Sequence, residues 1–330
     1  MSLVAAPGSA VAGVRVIDAG VDTAPLRAAR FDGGERTDDA AQRTAFARVR
    51  AWIEGHAAQL DVVHAHAFDA GAFDELDGVT VPLVHTLHLP PLDGAVVTAA
   101  TRAHAALAAV SEASASSWRA AGIRIDVVLP NGVDVGRVPF GAVGDGTLLF
   151  AGRIAPEKGV ADAIRAARAA GRRLVIAGAP YDRAYADEVV MPLLGADVTL
   201  RGGLPRDEVL RLMSRASAVL MPVRWDEPFG LVALEGQAAG APVVCYRRGG
   251  LPEVVRDGQT GILVEPGDER ALVAAIERAG RIDRAACRRH VAESFPLARM
   301  LALHERLYAH VAPKGQVTGQ SAGRNVSRRS

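Results

Sequence analysis

The chain has 330 residues, 49% of them hydrophobic, with 38 Lys and Arg against 37 Asp and Glu. That length holds two domains of ordinary size, and the near-zero net charge excludes a general attraction to nucleic acid or an acidic polymer. Two distant cysteines, Cys245 and Cys287, make no disulfide framework and fit a reducing compartment, and no apolar run reaches the roughly 20 residues that span a bilayer.

The apolar start, Met1–Ala6, is interrupted by Pro7 and Gly8 and has no basic segment before it, so it makes a poor signal peptide. Val14–Asp18 reads as a strand. Arg27, Arg30, Arg36, Arg43, Arg48 and Arg50 follow, interleaved with Asp32, Glu35, Asp38, Asp39 and Glu54. That mixture suits a solvated face better than a membrane-facing one. Gln42–Gln59 has a helical pattern. Asp61–His66, Leu83–Thr86 and Ala106–Val110 read as short strands and Ala113–Ala121 as a helix, which completes a first domain over residues 1–140. The turn-rich segment Gly136–Gly146 leads into a second domain over 141–312. There the strands Thr147–Ala151, Arg173–Ala177, Asp197–Leu200, Ala218–Val223, Pro242–Tyr246 and Gly261–Val264 are spaced by helical patterns. These helices are Val160–Ala170, Asp207–Ala216, Leu231–Ala239 and Glu269–Ala279. Such alternation implies a parallel sheet covered on both faces, a Rossmann-like α/β domain. Residues 313–330 are rich in Gly, Ser and Arg and read as a disordered tail. Lys314 lies in that tail, and Lys158 is the only other lysine in the chain.

The most informative run is Asp226-Glu-Pro-Phe-Gly-Leu-Val-Ala-Leu-Glu235. Pro228 and Gly230 mark a turn between an apolar strand and a helix. Glu227 therefore falls in the loop before the helix and Glu235 just over one turn inside it. Both can face the cleft at the carboxyl end of a parallel sheet, where open α/β folds bind ligands. The helix N-terminus between them offers free N–H groups and a partial positive charge, which suit a phosphate. Two carboxylates beside an anion site suggest a ligand with hydroxyls at both ends and phosphate between, the shape of a nucleotide-sugar. Arg153 and Lys158 lie on a strand-to-helix turn closed by Pro156 and Gly159; alone, they read equally well as phosphate ligands or as surface residues. His64 and His66 have the H-x-H spacing of metal ligands. Standing alone, the first half would read as a zinc hydrolase, which needs further ligands that later strand ends scarcely offer.

Four ordered segments resemble retaining GT-B glycosyltransferases of family 4. They are Pro130-Asn-Gly-Val-Asp134, Gly152-Arg-Ile-Ala-Pro-Glu-Lys-Gly159, the E-x7-E run from Glu227 to Glu235, and Gly249-Gly-Leu-Pro-Glu-Val-Val255 followed by Asp257-Gly-Gln-Thr-Gly261. The resemblance covers roughly residues 60–310. It implies two Rossmann-like domains facing across a cleft, with the last helix packing back on the N-terminal domain. That domain is expected to lack its first strand-helix unit, because Met1–Ala6 matches the family's second strand, so self-association or completion by a partner is expected. The resemblance also implies transfer of a sugar from a UDP-, GDP- or ADP-sugar to a hydroxyl acceptor, which is a glycan, a lipid carrier or a small natural product. No metal or other cofactor is expected. His88, Arg153, Lys158 and Glu227 would be catalytic. The backbone at Phe229, Gly230 and Leu231 would bind the donor together with Glu235, and His66 would lie on the acceptor side. A cytoplasmic enzyme, or one peripheral to the inner membrane face, follows. The incomplete first unit also allows an inactive or partner-dependent nucleotide-sugar-binding protein.

Overall fold

A computed structural model describes residues 1–5, 8–18 and 39–312. Arg27, Arg30, Arg36, Asp32, Glu35, Asp38, Lys314 and the segment 313–330 lie outside the described residues. The first elements are β1 (Ser2–Ala5), β2 (Arg15–Asp18), α1 (Asp39–Gly55), β3 (Val63–Ala65), α2 (Ala70–Leu76), β4 (Leu83–Leu87), α3 (Gly94–Arg102), β5 (Ala106–Ala109), α4 (Glu112–Ala120) and β6 (Val127–Val128). There follow β7 (Leu148–Ala151), α5 (Val160–Ala169), β8 (Leu174–Ala177), α6 (Arg183–Tyr185), β9 (Val198–Gly202), α7 (Arg206–Arg215), β10 (Ala218–Met221) and α8 (Leu231–Ala238). The last are β11 (Val243–Tyr246), α9 (Leu251–Val254), β12 (Gly261–Val264), α10 (Glu269–Ala279), α11 (Arg284–Ser294) and α12 (Leu297–Val311).

The second-half strands form one six-stranded parallel sheet in the order β12-β11-β10-β7-β8-β9. Its strands, apart from the edge strand β9, are apolar on both faces because helices cover both. Leu148, Phe150, Leu220 and Val244 face the layer of α5 and α10. Leu149, Ala151, Val219 and Val243 face the layer that contains Leu210 and Met213 of α7, Leu234 of α8 and Val291 of α11. The period-2 alternation of a strand thus feeds two cores at once.

The first half forms a four-stranded parallel sheet, β3-β4-β5-β6. Phe73, Val96 and Trp118 pack on one face with Leu87 and Leu107. On the other face Leu307 of α12 packs with Val84, Ala108 and Leu129. The chain returns to that face through a backbone pairing of Val133 with Phe295 and Leu297, at 2.9 and 3.1 Å. Among the described residues β1 and β2 pair only with each other, in a separate sheet. Among the described residues no strand pairs with the outer side of β3. No helix among them is long and apolar enough to cross a membrane.

Helix α1 ends at Gly55, and a 3-10 turn over Ala57–Gln59 replaces the end of the expected helix. α3 was not anticipated, since its β-branched residues suit a strand. Asp93 caps it by accepting the Ala95 N–H at 2.8 Å, and burial of Val96, Ala99 and Ala100 overrides the local preference. His85 is 1% exposed and stacks on Phe73 at 4.3 Å between ring centroids. Neither of its ring nitrogens has a hydrogen-bond partner among the described residues, and burial pushes its pKa down to about 4.

A stability prediction follows from His85. An ordinary histidine titrates near pH 6.5. Between pH 6.5 and 4 the unfolded chain therefore binds a proton that the folded chain excludes, so stability falls as pH falls. His85→Leu removes two unmatched buried nitrogens and should stabilise the fold by about 1 kcal/mol at neutral pH. Urea denaturation should show that gain growing towards pH 4; a loss at every pH would contradict this account.

Candidate active site

The order of the six-stranded sheet reverses between β7 and β10, because the chain leaves β7 towards β8 on one side and returns to β10 on the other. The loops after these two strands diverge and leave a crevice at their carboxyl ends. The loop after β7 is drawn tightly against the turn after β10. Gly159 has φ +71°, and a Cβ there would lie 1.9 Å from the Pro222 carbonyl oxygen, so only glycine fits. The Arg224 N–H donates to the Glu157 carbonyl at 2.8 Å, and its guanidinium grips the buried Asp162 carboxylate at 2.7 and 2.8 Å.

A cavity of about 340 Å³ opens at this crevice. Arg153 and Lys158 line it from the loop after β7, and Glu227, Phe229, Gly230 and Leu231 from the loop after β10. His88 and Asn131 line it from the first half. Gly230, at φ +97°, turns the chain into α8. The first turn of that helix, Leu231 and Val232, borders the cavity with its positive dipole end.

Lys158 Nζ donates to Glu227 Oε2 at 2.8 Å, and the Trp225 indole N–H donates to the same oxygen at 2.8 Å. The Lys158 ammonium also lies 4.4 Å from the centre of the Trp225 ring. The Arg153 guanidinium lies over the Tyr181 ring at 4.2 Å and within 3.5 Å of Glu157. Two expected residues do not line the cavity. Glu235 is 8% exposed, and its Oε1 accepts from Arg206 Nε and Nη2 at 2.9 and 2.6 Å. His66 stands at the surface and reaches the site through His88, with 2.9 Å between its Nδ1 and His88 Nε2.

His64 bonds Tyr308 and Thr86, each at 2.7 Å, so both its ring nitrogens are engaged. Among the described residues no three His, Cys, Asp or Glu side chains converge as a metal cluster would. Burial and neighbouring histidines push His64 down to about 3 and His88 down to about 4. Both rings are neutral at pH 7; in the His66–His88 contact one of the two facing nitrogens carries the proton and the other accepts it. Cys245 and Cys287 are buried and unpaired.

The two halves touch beside the cavity. Ser111 Oγ donates to the Pro228 carbonyl at 2.5 Å. Glu253 accepts the Glu112 and Ala113 N–H groups at 3.0 and 2.7 Å, so a carboxylate of the second half caps α4 of the first. Sequence reasoning missed the site residues Trp225, Asn131, Arg206 and Glu253. Trp225, Asn131 and Glu253 sit within or beside the quoted motifs, and spacing assigned them no task. Arg206 and Glu235 are brought together only by the fold.

Residues 140–290 match the family described as Glycosyl transferases group 1. The D-inositol 3-phosphate glycosyltransferase of Mycobacterium avium is 34% identical over 305 residues, which are 80% of this chain and 72% of that one. The chain belongs to the glycosyl transferases group 1 family. The glycogen synthase of Mycobacterium tuberculosis is 40% identical over 159 residues, and the match spans 45% of this chain but only 38% of that relative. The structure of Anabaena HepE in complex with UDP-glucose superposes with a TM-score of 0.68 at 21% identity, covering 81% of this chain and 82% of that one. The α/β fold, with its six-stranded and four-stranded parallel sheets, is thus that of GT-B glycosyltransferases.

The Glu253 cap should restrain opening of the cleft. Glu253→Ala should cost about 1 kcal/mol in chemical denaturation, the usual worth of a helix cap. It should also raise the radius of gyration in X-ray scattering. A lost cap with an unchanged radius would show that other contacts hold the halves together.

Proposed function

We propose that this chain is a cytoplasmic retaining glycosyltransferase of family 4, moving a sugar from a nucleotide-sugar to a hydroxyl acceptor without a metal ion. One observation carries the reading: Arg153, Lys158, Glu227, the first turn of α8 and, from the opposite half, His88 share one cavity. A diphosphate leaving group gains negative charge as its bond to the sugar breaks. Arg153, Lys158 and the α8 N-terminus are the groups that would neutralise it. Glu227 would accept hydrogen bonds from sugar hydroxyls, and Glu235 from the ribose hydroxyls. His88, neutral, would stand near the reacting carbon, with His66 towards the acceptor. The acceptor oxygen bonds the sugar carbon on the face the diphosphate leaves, and its proton passes to the departing diphosphate. The names of the M. avium and M. tuberculosis relatives support glycosyl transfer, and the Anabaena complex supports a UDP-sugar as the first donor to test.

Titration with UDP-, GDP- and ADP-glucose, followed by turnover with candidate acceptors, tests the reading. Binding without turnover would leave a nucleotide-sugar-binding protein. Glu235→Ala should weaken both UDP and UDP-glucose by roughly tenfold to a hundredfold, the worth of a charge-assisted hydrogen bond. Glu227→Gln should lower turnover more than UDP affinity, and equal losses would contradict its assigned role. Transfer should also persist in excess chelator. Abolition by chelator with rescue by manganese or zinc would instead require a metal.

A further inference from the structure

We propose that Trp225 is the positioning residue of the donor site, holding Glu227 in place independently of Lys158. The inference rests on the donor-site reading above. Lys158 and Glu227 are both mostly buried, with side chains 17% and 14% exposed. Charged groups so placed need partners in fixed geometry. Both meet on Trp225. Its indole N–H donates to Glu227 Oε2, and its ring face lies 4.4 Å from the Lys158 ammonium.

These two contacts separate two tasks. A diphosphate in the cavity competes with Glu227 for Lys158, whose flexible stem and three donors let it turn to a phosphate oxygen. Were Lys158 the sole anchor of Glu227, donor binding would release the carboxylate that must meet the sugar. The indole N–H keeps Oε2 held whichever way Lys158 points. Oε1 has no hydrogen-bond partner among the described residues and is left for sugar hydroxyls. The ring face meanwhile keeps the ammonium in the site by a cation–π contact. Trp225 itself lines the cavity, so it also shapes the space beside the sugar.

Trp225→Phe is the discriminating variant, because it removes the indole N–H while keeping an aromatic face for Lys158. UDP, GDP and ADP and their glucose conjugates are first titrated against the unaltered chain. With the pair that binds, Trp225→Phe should leave diphosphate affinity within about twofold, while kcat falls about tenfold through loss of one hydrogen bond to a charged group. Trp225→Leu should weaken the diphosphate as well, by a few-fold, through the lost ring face. A double-mutant cycle covers any loss of folding: Trp225→Phe should add almost nothing to Glu227→Gln if it acts through that carboxylate. Additive effects, equal losses of diphosphate and conjugate affinity, or a Trp225→Phe variant indistinguishable from the unaltered chain would each overturn the assignment while the donor site stands. An unaltered chain that binds none of the six would overturn the donor site and this inference together.

Discussion

The reversal of strand order between β7 and β10 is the constraint on which the site depends. Two adjacent parallel strands whose connections run in opposite directions leave their carboxyl ends uncovered. The loops that begin there, at Gly152 and Pro222, carry every charged residue that the second half contributes to the cavity. The same geometry aims the N-terminus of α8 at the cavity, since a helix that follows a parallel strand starts at that strand's carboxyl end. Gly159 and Gly230 serve this arrangement by allowing, respectively, a close backbone approach and a left-handed entry into the helix.

The charges around the crevice are arranged so that each buried one has a partner. Asp162 takes Arg224 and Arg165, Glu235 takes Arg206, and Glu227 takes Lys158 with Trp225. The partners differ in exposure. The Arg206 and Arg224 side chains are 66% and 56% exposed, whereas Lys158 is 17% exposed. An arginine fork offers two fixed donors to a carboxylate and stays charged, while a lysine is a compact charge on a flexible stem. The only lysine among the described residues thus stands where a cation must be able to change partners, and arginines stand where a carboxylate must be held.

The six strands of the second half and four of its helices were legible because each satisfies two independent signals, whereas α6, α9 and α11 were not expected. Gly261–Val264 and Glu269–Ala279 have the expected bounds, since apolar runs bounded by Gly and capped by Asp268 leave little choice. The first half was harder. α2 has seven residues, too few for a helical period to show, and α3 is rich in β-branched residues that suit a strand. The pairings within the site were less legible still. Glu235 joins Arg206 across 29 positions, Glu227 joins Lys158 across 69, and Ser111 meets Pro228 across 117. Periodicity and spacing act over a turn or two of chain, so they located these residues on loops and helix ends without naming their partners.

The chain joins its two halves twice, through the segment after β6 and through Pro296 into α12, and these crossings pair along their backbones at Val133. Two strands of chain bonded side by side form a narrow bridge, which resists separation better than rotation. What opposes rotation is the contact of Ser111 with Pro228 and of Glu253 with α4. Both reach the loops that hold Glu227: Pro228 is its neighbour, and the Gly250 N–H donates to the Glu227 carbonyl at 2.7 Å. Gly249 packs there so closely that a Cβ would lie 2.2 Å from the same carbonyl oxygen. A movement that parts α4 from Glu253 therefore pulls on the backbone that carries Glu227, so the cleft and the carboxylate at its centre are mechanically one unit.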